Sequence, residues 1–259
     1  MKNAVFFDID GTLWNEHMQI PKSTVTAIRT LQRKGNYAFI CSGRSRANIC
    51  NKELLEIGFD GVVAACGAHV EYKKEILYEQ LMTQEEVEKA IAIANKYNLL
   101  DIFEGPRYLY VDEEDFSDDP YVVYIRRELG TAIKCITGTK CIEANKLSID
   151  LKGAPIDKVV AEFEEFFDVI LHNDWLLEIM PKGHSKATGI AKVCEQLNIP
   201  LENTYAFGDS ANDLEMLNFV AHGIAMGNGT VEAKQAAEYV TTHIMEDGIK
   251  NGLLHYGLI

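Results

Sequence analysis

Two carboxylates one residue apart, Asp8 and Asp10, close the run Ala4-Val-Phe-Phe-Asp-Ile-Asp-Gly-Thr-Leu13. Residues 4–7 are apolar without alternation, the pattern of a strand covered on both faces, as in a parallel sheet. A carboxylate at the end of such a strand is partly desolvated, and a second one at the same edge adds repulsion, so a nearby cation is called for. Two further apolar stretches end in a similar way. Residues 37–41 run into Ser42-Gly43-Arg44, and residues 205–207 into Gly208-Asp209-Ser-Ala-Asn212-Asp213. Ligands of open parallel sheets bind beyond the carboxyl ends of the strands, where strand order reverses. Neighbouring strands lie about 4.8 Å apart, so adjacent ends can share a phosphate-sized group and a metal ion. Carboxylate oxygens without His or Cys beside them suit magnesium, which in turn favours a phosphoryl substrate. Ser42 and the amides after it would donate to phosphate oxygens at the N-terminus of the helix that follows. Residue types alone leave plainer readings open: Asp8 paired with a lysine, Asp10 capping a turn, Ser42 and Ser210 as helix caps, Arg44 paired with a carboxylate.

The elements that must position these groups follow from periodicity. After the first strand, Pro21 opens a helix with Val25, Ile28 and Leu31 at helical spacing, stopped by Gly35. A second strand over 37–41, a helix over about 46–57 ended by Gly58, and a third strand over 61–66 complete a strand–helix alternation typical of a parallel sheet. Residues 69–79 alternate like an exposed hairpin. From about Thr83 the texture changes, with Thr83 and Glu86 spaced as a capping box ahead of an amphipathic helix. Strands are predicted over 100–103, 108–111 and 146–151. An acidic loop over 112–119 precedes an ambiguous segment at 121–129. Pro155 starts a further helix, and strands over 169–171 and 175–179 flank an Asn-Asp turn. Phe103, Tyr108, Tyr110, Phe163 and Trp175 fall on core-like periodicities. The parallel pattern resumes with a helix over 186–197 and strands near 205–207, 223–226 and 239–241. The fold class is therefore α/β: a Rossmann-like parallel-sheet core, residues 1–81 and 183–259, with an inserted α+β cap domain, residues 82–182.

At 259 residues the chain can bury a large core. Its net charge of −14 speaks against nucleic acid and anionic membranes as partners, because no basic field draws them in. No leading apolar segment and no unbroken run of about 18 apolar residues points to a signal peptide or membrane span. Six cysteines without a C-x-x-C pair do not form a disulfide or zinc framework, which points to reduced thiols and a cytoplasmic location. His69, His172 and His184 lack metal-ligand spacing.

Four segments together resemble the haloacid dehalogenase superfamily, specifically its Cof-type phosphatases with a large α/β cap. Asp8-Ile-Asp10-Gly-Thr-Leu matches D-x-D-G-T-L, Ser42-Gly-Arg44 the second motif, Lys182-Gly-His-Ser-Lys186 the approach to the third-motif lysine, and Gly208-Asp-Ser-Ala-Asn-Asp213 the pattern G-D-x-x-N-D. The resemblance spans essentially the whole chain. It implies that Asp8 attacks phosphorus to form an aspartyl-phosphate and that Asp10 acts as general acid, then base. It implies Mg2+ held by Asp8, the carbonyl of Asp10 and Asp209. Ser42, Gly43, Arg44, Lys186 and Asn212 would hold phosphate or substrate, with Asp213 orienting Lys186 or metal-bound water behind them. The insert would close as a lid over a small phosphorylated metabolite, with a sugar phosphate as the expected substrate, in a monomer or homodimer. A phosphomutase of the same superfamily and a non-enzymatic phospho-receiver are the alternatives. In one place the chain departs from the family pattern: Cys66-Gly-Ala68 stands where many Cof-type members carry Asn-Gly-Ala, and a thiol cannot make an amide's hydrogen bonds.

Overall fold

A computed structural model describes residues 2–112, 120–151, 153–172 and 174–259. Ala4–Phe7 forms β1, buried on both faces as its lack of polar alternation requires. Pro21, at φ −61°, leads into α1 (Lys22–Arg33), which buries Thr24, Ala27, Ile28 and Leu31 and is followed by Gly35 at φ +90°. Next come β2 (Tyr37–Cys41), the short α2 (Lys52–Leu55), β3 (Gly61–Ala64), β4 (His69–Tyr72) and β5 (Glu75–Glu79). The middle of the chain forms α3 (Gln84–Tyr97), β6 (Leu100–Glu104), β7 (Leu109–Tyr110), α4 (Pro120–Leu129), β8 (Ile133–Lys134), β9 (Lys146–Asp150), α5 (Ile156–Glu164), β10 (Asp168–Leu171) and β11 (Leu176–Met180). It ends with α6 (Lys186–Leu197), β12 (Thr204–Gly208), α7 (Leu214–Phe219), β13 (His222–Ala225), α8 (Val231–Ala236), β14 (Tyr239–Val240) and α9 (Gly248–His255).

Two units divide these elements. The first comprises Met1–Gly43, Lys52–Tyr78 and Ser185–Ile259. Its sheet runs β14-β13-β12-β1-β2-β3-β4-β5, parallel from β14 through β3 and antiparallel from β3 to β4. Chain order climbs from β1 to β3 on one side and from β12 to β14 on the other, so the reversal falls between β1 and β12, where Ala4 registers with Thr204 and Phe7 with Phe207. Phe6 stacks on Phe39 at 5.2 Å between ring centres, and Phe7 on Phe207 at 5.1 Å. Ile190 and Val193 of α6 and Met216 of α7 share a cluster with Phe6, Phe39 and Ala206. Burying each large apolar side chain stabilises by about 1.5–3 kcal/mol, which fixes the three strands whose ends carry the motif residues.

The second unit comprises Arg44–Asn51 and Glu79–His184. Its sheet, β10-β11-β9-β6-β7-β8, is antiparallel except for the β7–β8 pair. Val87 and Ala90 of α3 and Val159 and Phe163 of α5 share its core with Phe103, Leu147, Ile149, Leu177 and Ile179. Thr83 and Glu86 form the expected capping box at the start of α3.

Several expectations change. The helix predicted over 46–57 shrinks to Lys52–Leu55, because Ala47 donates to the Gly105 carbonyl and Asn48 and Ile49 close tight turns on Ser45 and Arg46. Those bonds fasten Arg44–Asn51 to the second unit, whereas the sequence reading gives this segment to the core. The ambiguous 121–129 stretch is helical as α4. The short strand β8 has no sequence forecast. Trp175 is not a core residue: it precedes β11 and is 50 % exposed. Residues 113–119 of the acidic loop, and Asn173 of the predicted turn, lie outside the described residues.

Candidate active site

Asp8 continues β1 by one residue. Its amide donates to the Phe207 carbonyl at 3.0 Å, which ties it to the end of β12 ahead of Asp209. It is buried, with 3 % of its surface exposed. Gly11 follows at φ +81°, and a Cβ there would sit 2.3 Å from Oδ2 of Asp209; glycine is what allows the two loops to approach. Thr12 donates from Oγ1 to Asp209 Oδ1 at 2.9 Å. Asn228, 217 positions further on, donates from Nδ2 to the Gly11 carbonyl at 2.7 Å and accepts from the Ile244 amide at 2.9 Å. Motif reading passes over Asn228 as part of a glycine turn, and the Gly227-Asn228-Gly229 punctuation is the signal that could have flagged it.

Lys186 enters as the first residue of α6, whose start Ser185 and Thr188 cap reciprocally. Its Nζ donates to Asp8 Oδ1 at 2.7 Å, to Asp213 Oδ1 at 2.5 Å and more loosely to Asn212 Oδ1 at 3.4 Å. The other Asp213 oxygen accepts from the amides of Asp209 and Ser210, at 2.9 and 3.1 Å, so Asp213 shapes the loop and orients the lysine together. Asn212 Oδ1 also takes the Ser210 hydroxyl at 2.9 Å. Ser42 and Gly43 lie buried beyond the end of β2, with the Ser42 amide on the Val63 carbonyl and its own carbonyl accepting from Cys66. Cys66 is buried at φ +49°, and its backbone supplies that contact whatever its side chain.

The structure thus brings Asp8, Lys186, Asp209, Asn212 and Asp213 together in the first unit, with Asp10 close enough to act on the charges of Asp8 and Asp209. Arg44 falls in the second unit. Ser42 is not a helix cap, since α2 begins only at Lys52; a helix N-terminus does not supply phosphate donors here. The plain reading of Asp8 paired with a lysine is correct as geometry, and Lys186 is that lysine. Burial pushes the Asp8 carboxyl well above the usual range, and Asp213, Asp209 and Asp10 add to this against the pull of Lys186. Burial and Asp213 push Asp209 up to about 7. Burial alone would lower Lys186, but Asp213 and Asp8 outweigh it and hold the ammonium charged.

Four carboxylates and one ammonium meet here. Oxygens of Asp8, Asp209 and Asp213 lie within 4.8 Å of one another, and a hard divalent cation is what would relieve their crowding. Asp213 already spends both oxygens on Lys186 and on backbone amides, which leaves Asp8 and Asp209 as the better side-chain ligands. The donor set fits magnesium.

An α/β sheet with its strand order reversing at an acidic, lysine-bridged rim defines a phosphoryl-transfer hydrolase, and comparison with known proteins agrees. The profile of the haloacid dehalogenase-like hydrolases matches residues 5–253. YkrA of Bacillus subtilis (strain 168), provisionally named a phosphatase, is 31% identical over 98% of both chains. The 5-amino-6-(5-phospho-D-ribitylamino)uracil phosphatase YitU of the same strain is 29% identical, over 97% of this chain and 96% of its own. Among solved structures, the subclass IIB sugar phosphatase BT4131 superposes over the full length of both chains with a TM-score of 0.84 at 30% identity. The chain belongs to the haloacid dehalogenase-like hydrolases, in the Cof-type phosphatase branch. Membership of a hydrolase family removes the phospho-receiver alternative. Among the described residues no helix is long and apolar enough to cross a membrane.

Proposed function

We propose that the protein is a magnesium-dependent phosphatase of small phosphorylated metabolites, acting through an aspartyl-phosphate on Asp8. The observation that carries this reading is the position of Asp8: buried at the end of β1, held by Lys186, and beside Asp209 at the reversal of strand order. Asp8 attacks phosphorus while Asp10, exposed on the turn, gives a proton to the leaving oxygen; Asp10 then takes a proton from the water that frees phosphate. Lys186 stabilises negative charge on the transferring oxygens, with Ser42, Gly43 and Asn212 as further contacts. Asp213 keeps Lys186 charged and aimed. Asp8, Asp209 and the Asp10 carbonyl would hold the ion, which supplies positive charge between carboxylate and phosphate. Sugar phosphates and sugar-alcohol phosphates are the proposed substrates, since YitU and BT4131, full-length relatives near 30% identity, are named for ribityl-phosphate and sugar-phosphate hydrolysis. The test is a phosphometabolite panel with purified protein, reading kcat/KM across sugar, nucleotide and cofactor phosphates. Magnesium should be required, EDTA should remove turnover, and Asp8→Asn should lower kcat at least ~10^3-fold with the fold intact. Full turnover in EDTA, or near-normal turnover in Asp8→Asn, would overturn the assignment.

A further inference from the structure

The motif roles leave Trp14 without a task, yet it is one of the most constrained side chains of the first unit. It stands four residues after Asp10, past the Gly11-Thr12-Leu13 turn, with 3 % of its surface exposed. Backbone bonds fix the turn: the amides of Leu13 and Trp14 both donate to the Ile9 carbonyl, at 2.9 and 3.2 Å, and the Gly11 amide donates to the Trp14 carbonyl at 2.9 Å. Asp10 and Trp14 thereby form a single parallel bridge. From this anchored position the indole Nε1–H donates to Oδ1 of Asp10 at 2.9 Å. A buried indole N–H needs an acceptor, and here the acceptor is an exposed carboxylate at the tip of the catalytic turn.

We propose that Trp14 is a positioning residue for Asp10: its indole N–H fixes Oδ1 and assigns the travelling proton to Oδ2. The inference rests on the phosphatase reading above. An indole N–H donates and cannot accept, so a proton on Oδ1 would face another hydrogen along this axis, whereas one on Oδ2 leaves Oδ1 an acceptor. The same bond therefore survives in both states of the carboxyl group. In the first half-reaction an Asp8 oxygen bonds to phosphorus, the bond from phosphorus to the alcohol oxygen breaks, and the Oδ2 proton passes to that departing oxygen. In the second, a water oxygen bonds to phosphorus, the Asp8–phosphorus bond breaks, and one water proton returns to Oδ2. Without the indole, Oδ1 loses this donor, and rotation about the terminal torsion, which is broad for an aspartate, presents the proton less often.

Leaving-group chemistry separates this role from a structural one. An alkoxide departs poorly without a proton, and p-nitrophenolate departs without one. The full-length Trp14→Phe enzyme, loaded with magnesium, is assayed on a sugar phosphate and on p-nitrophenyl phosphate, with thermal unfolding as the control for folding. The ratio of kcat/KM on the sugar phosphate to kcat/KM on the aryl phosphate, which reads leaving-group departure and not the hydrolysis step both substrates share, should fall at least about tenfold. Replacing Trp14 with its sulfur isostere 3-benzothienylalanine, which keeps the ring system and removes the donor, should give the same fall even if the smaller phenyl ring leaves the turn loose. A ratio of kcat/KM values that stays unchanged in the isostere, with or without equal losses on both substrates, would overturn the proposal. A wild type that turns over neither substrate would defeat the phosphatase reading, and the proposal with it.

Discussion

Gly11 shows how much of the site depends on one missing side chain. At φ +81° it occupies a region costing other residues about 1–2 kcal/mol, and an added Cβ would press into the Asp209 carboxylate. Gly11→Ala should therefore lower stability by about that amount in urea unfolding and weaken magnesium binding at least ~10-fold in titration calorimetry. An unchanged magnesium affinity would mean that Asp209 is not a ligand. The motif aspartates are legible in the sequence because they follow apolar runs at recognisable spacings, whereas Lys186, one more lysine at a helix start, is legible only through the resemblance of residues 182–186 to a family motif. Thr12 and Asn228 are not, since their contribution depends on how the turn after β1 meets loops about 200 positions away, and Trp14 is not, since its bond to Asp10 exists only once the turn from Ile9 to Trp14 has closed. Their side-chain types alone permit ordinary core or turn roles.

Among the elements, α6 carries the most consequence. It delivers Lys186, and it approaches β3 and the turn after it so closely that a Cβ on Gly189 would lie 2.4 Å from a Val63 methyl and 2.8 Å from the Gly67 Cα. Gly189→Ala would push the helix away, destabilise by about 1–3 kcal/mol and withdraw the lysine from Asp8. kcat should fall with it, whereas an exposed-face control such as Gln196→Ala should change neither quantity. In the second unit, the polar residues of β9 would read as a solvent-facing row by alternation, yet the structure buries them. Lys146 is 2 % exposed and pairs with Glu178, with Glu104 3.6 Å away; His172 meets Glu178 at 2.9 Å, and Ser148 donates to Glu104 at 2.6 Å. Burial would raise the Glu178 carboxyl, but Lys146 and His172 outweigh it and draw it down to about 2. Its stabilising contribution is thus present above the ordinary glutamate range and is lost as pH falls toward about 2. Lys146→Met alone should cost about 3–5 kcal/mol by leaving buried carboxylates unpaired, and adding Glu178→Leu should recover part of it; additive losses in the double variant would contradict the pairing. Alternation states which residues share a face. It does not say whether water reaches that face.

For the whole molecule, the net charge of −14 opposes the approach of a phosphate dianion even though the site itself holds Lys186 and room for a cation. Raising salt from about 10 to 150 mM shortens the screening length from about 30 to 8 Å, so at saturating magnesium kcat/KM should rise with salt. A steep fall would instead show that the local positive charge governs encounter. The two-part architecture is legible in the change from strand–helix alternation to an antiparallel texture and back. The allegiance of Arg44–Asn51 is not, because the hydrogen bonds from the Ala47 amide to Gly105 and from the Asn48 side chain to Glu104 join partners more than 50 positions apart with no local pattern to announce them. The placement of β1 between β2 and β12 has a consequence for biosynthesis. As the chain leaves the ribosome, β1 can pair with β2 at once, but its other edge waits for residues near 204. Throughout that interval the nascent polypeptide presents an apolar, unpaired strand that runs into Asp8, an open flank that chaperones would be expected to shield until the last fifth is translated.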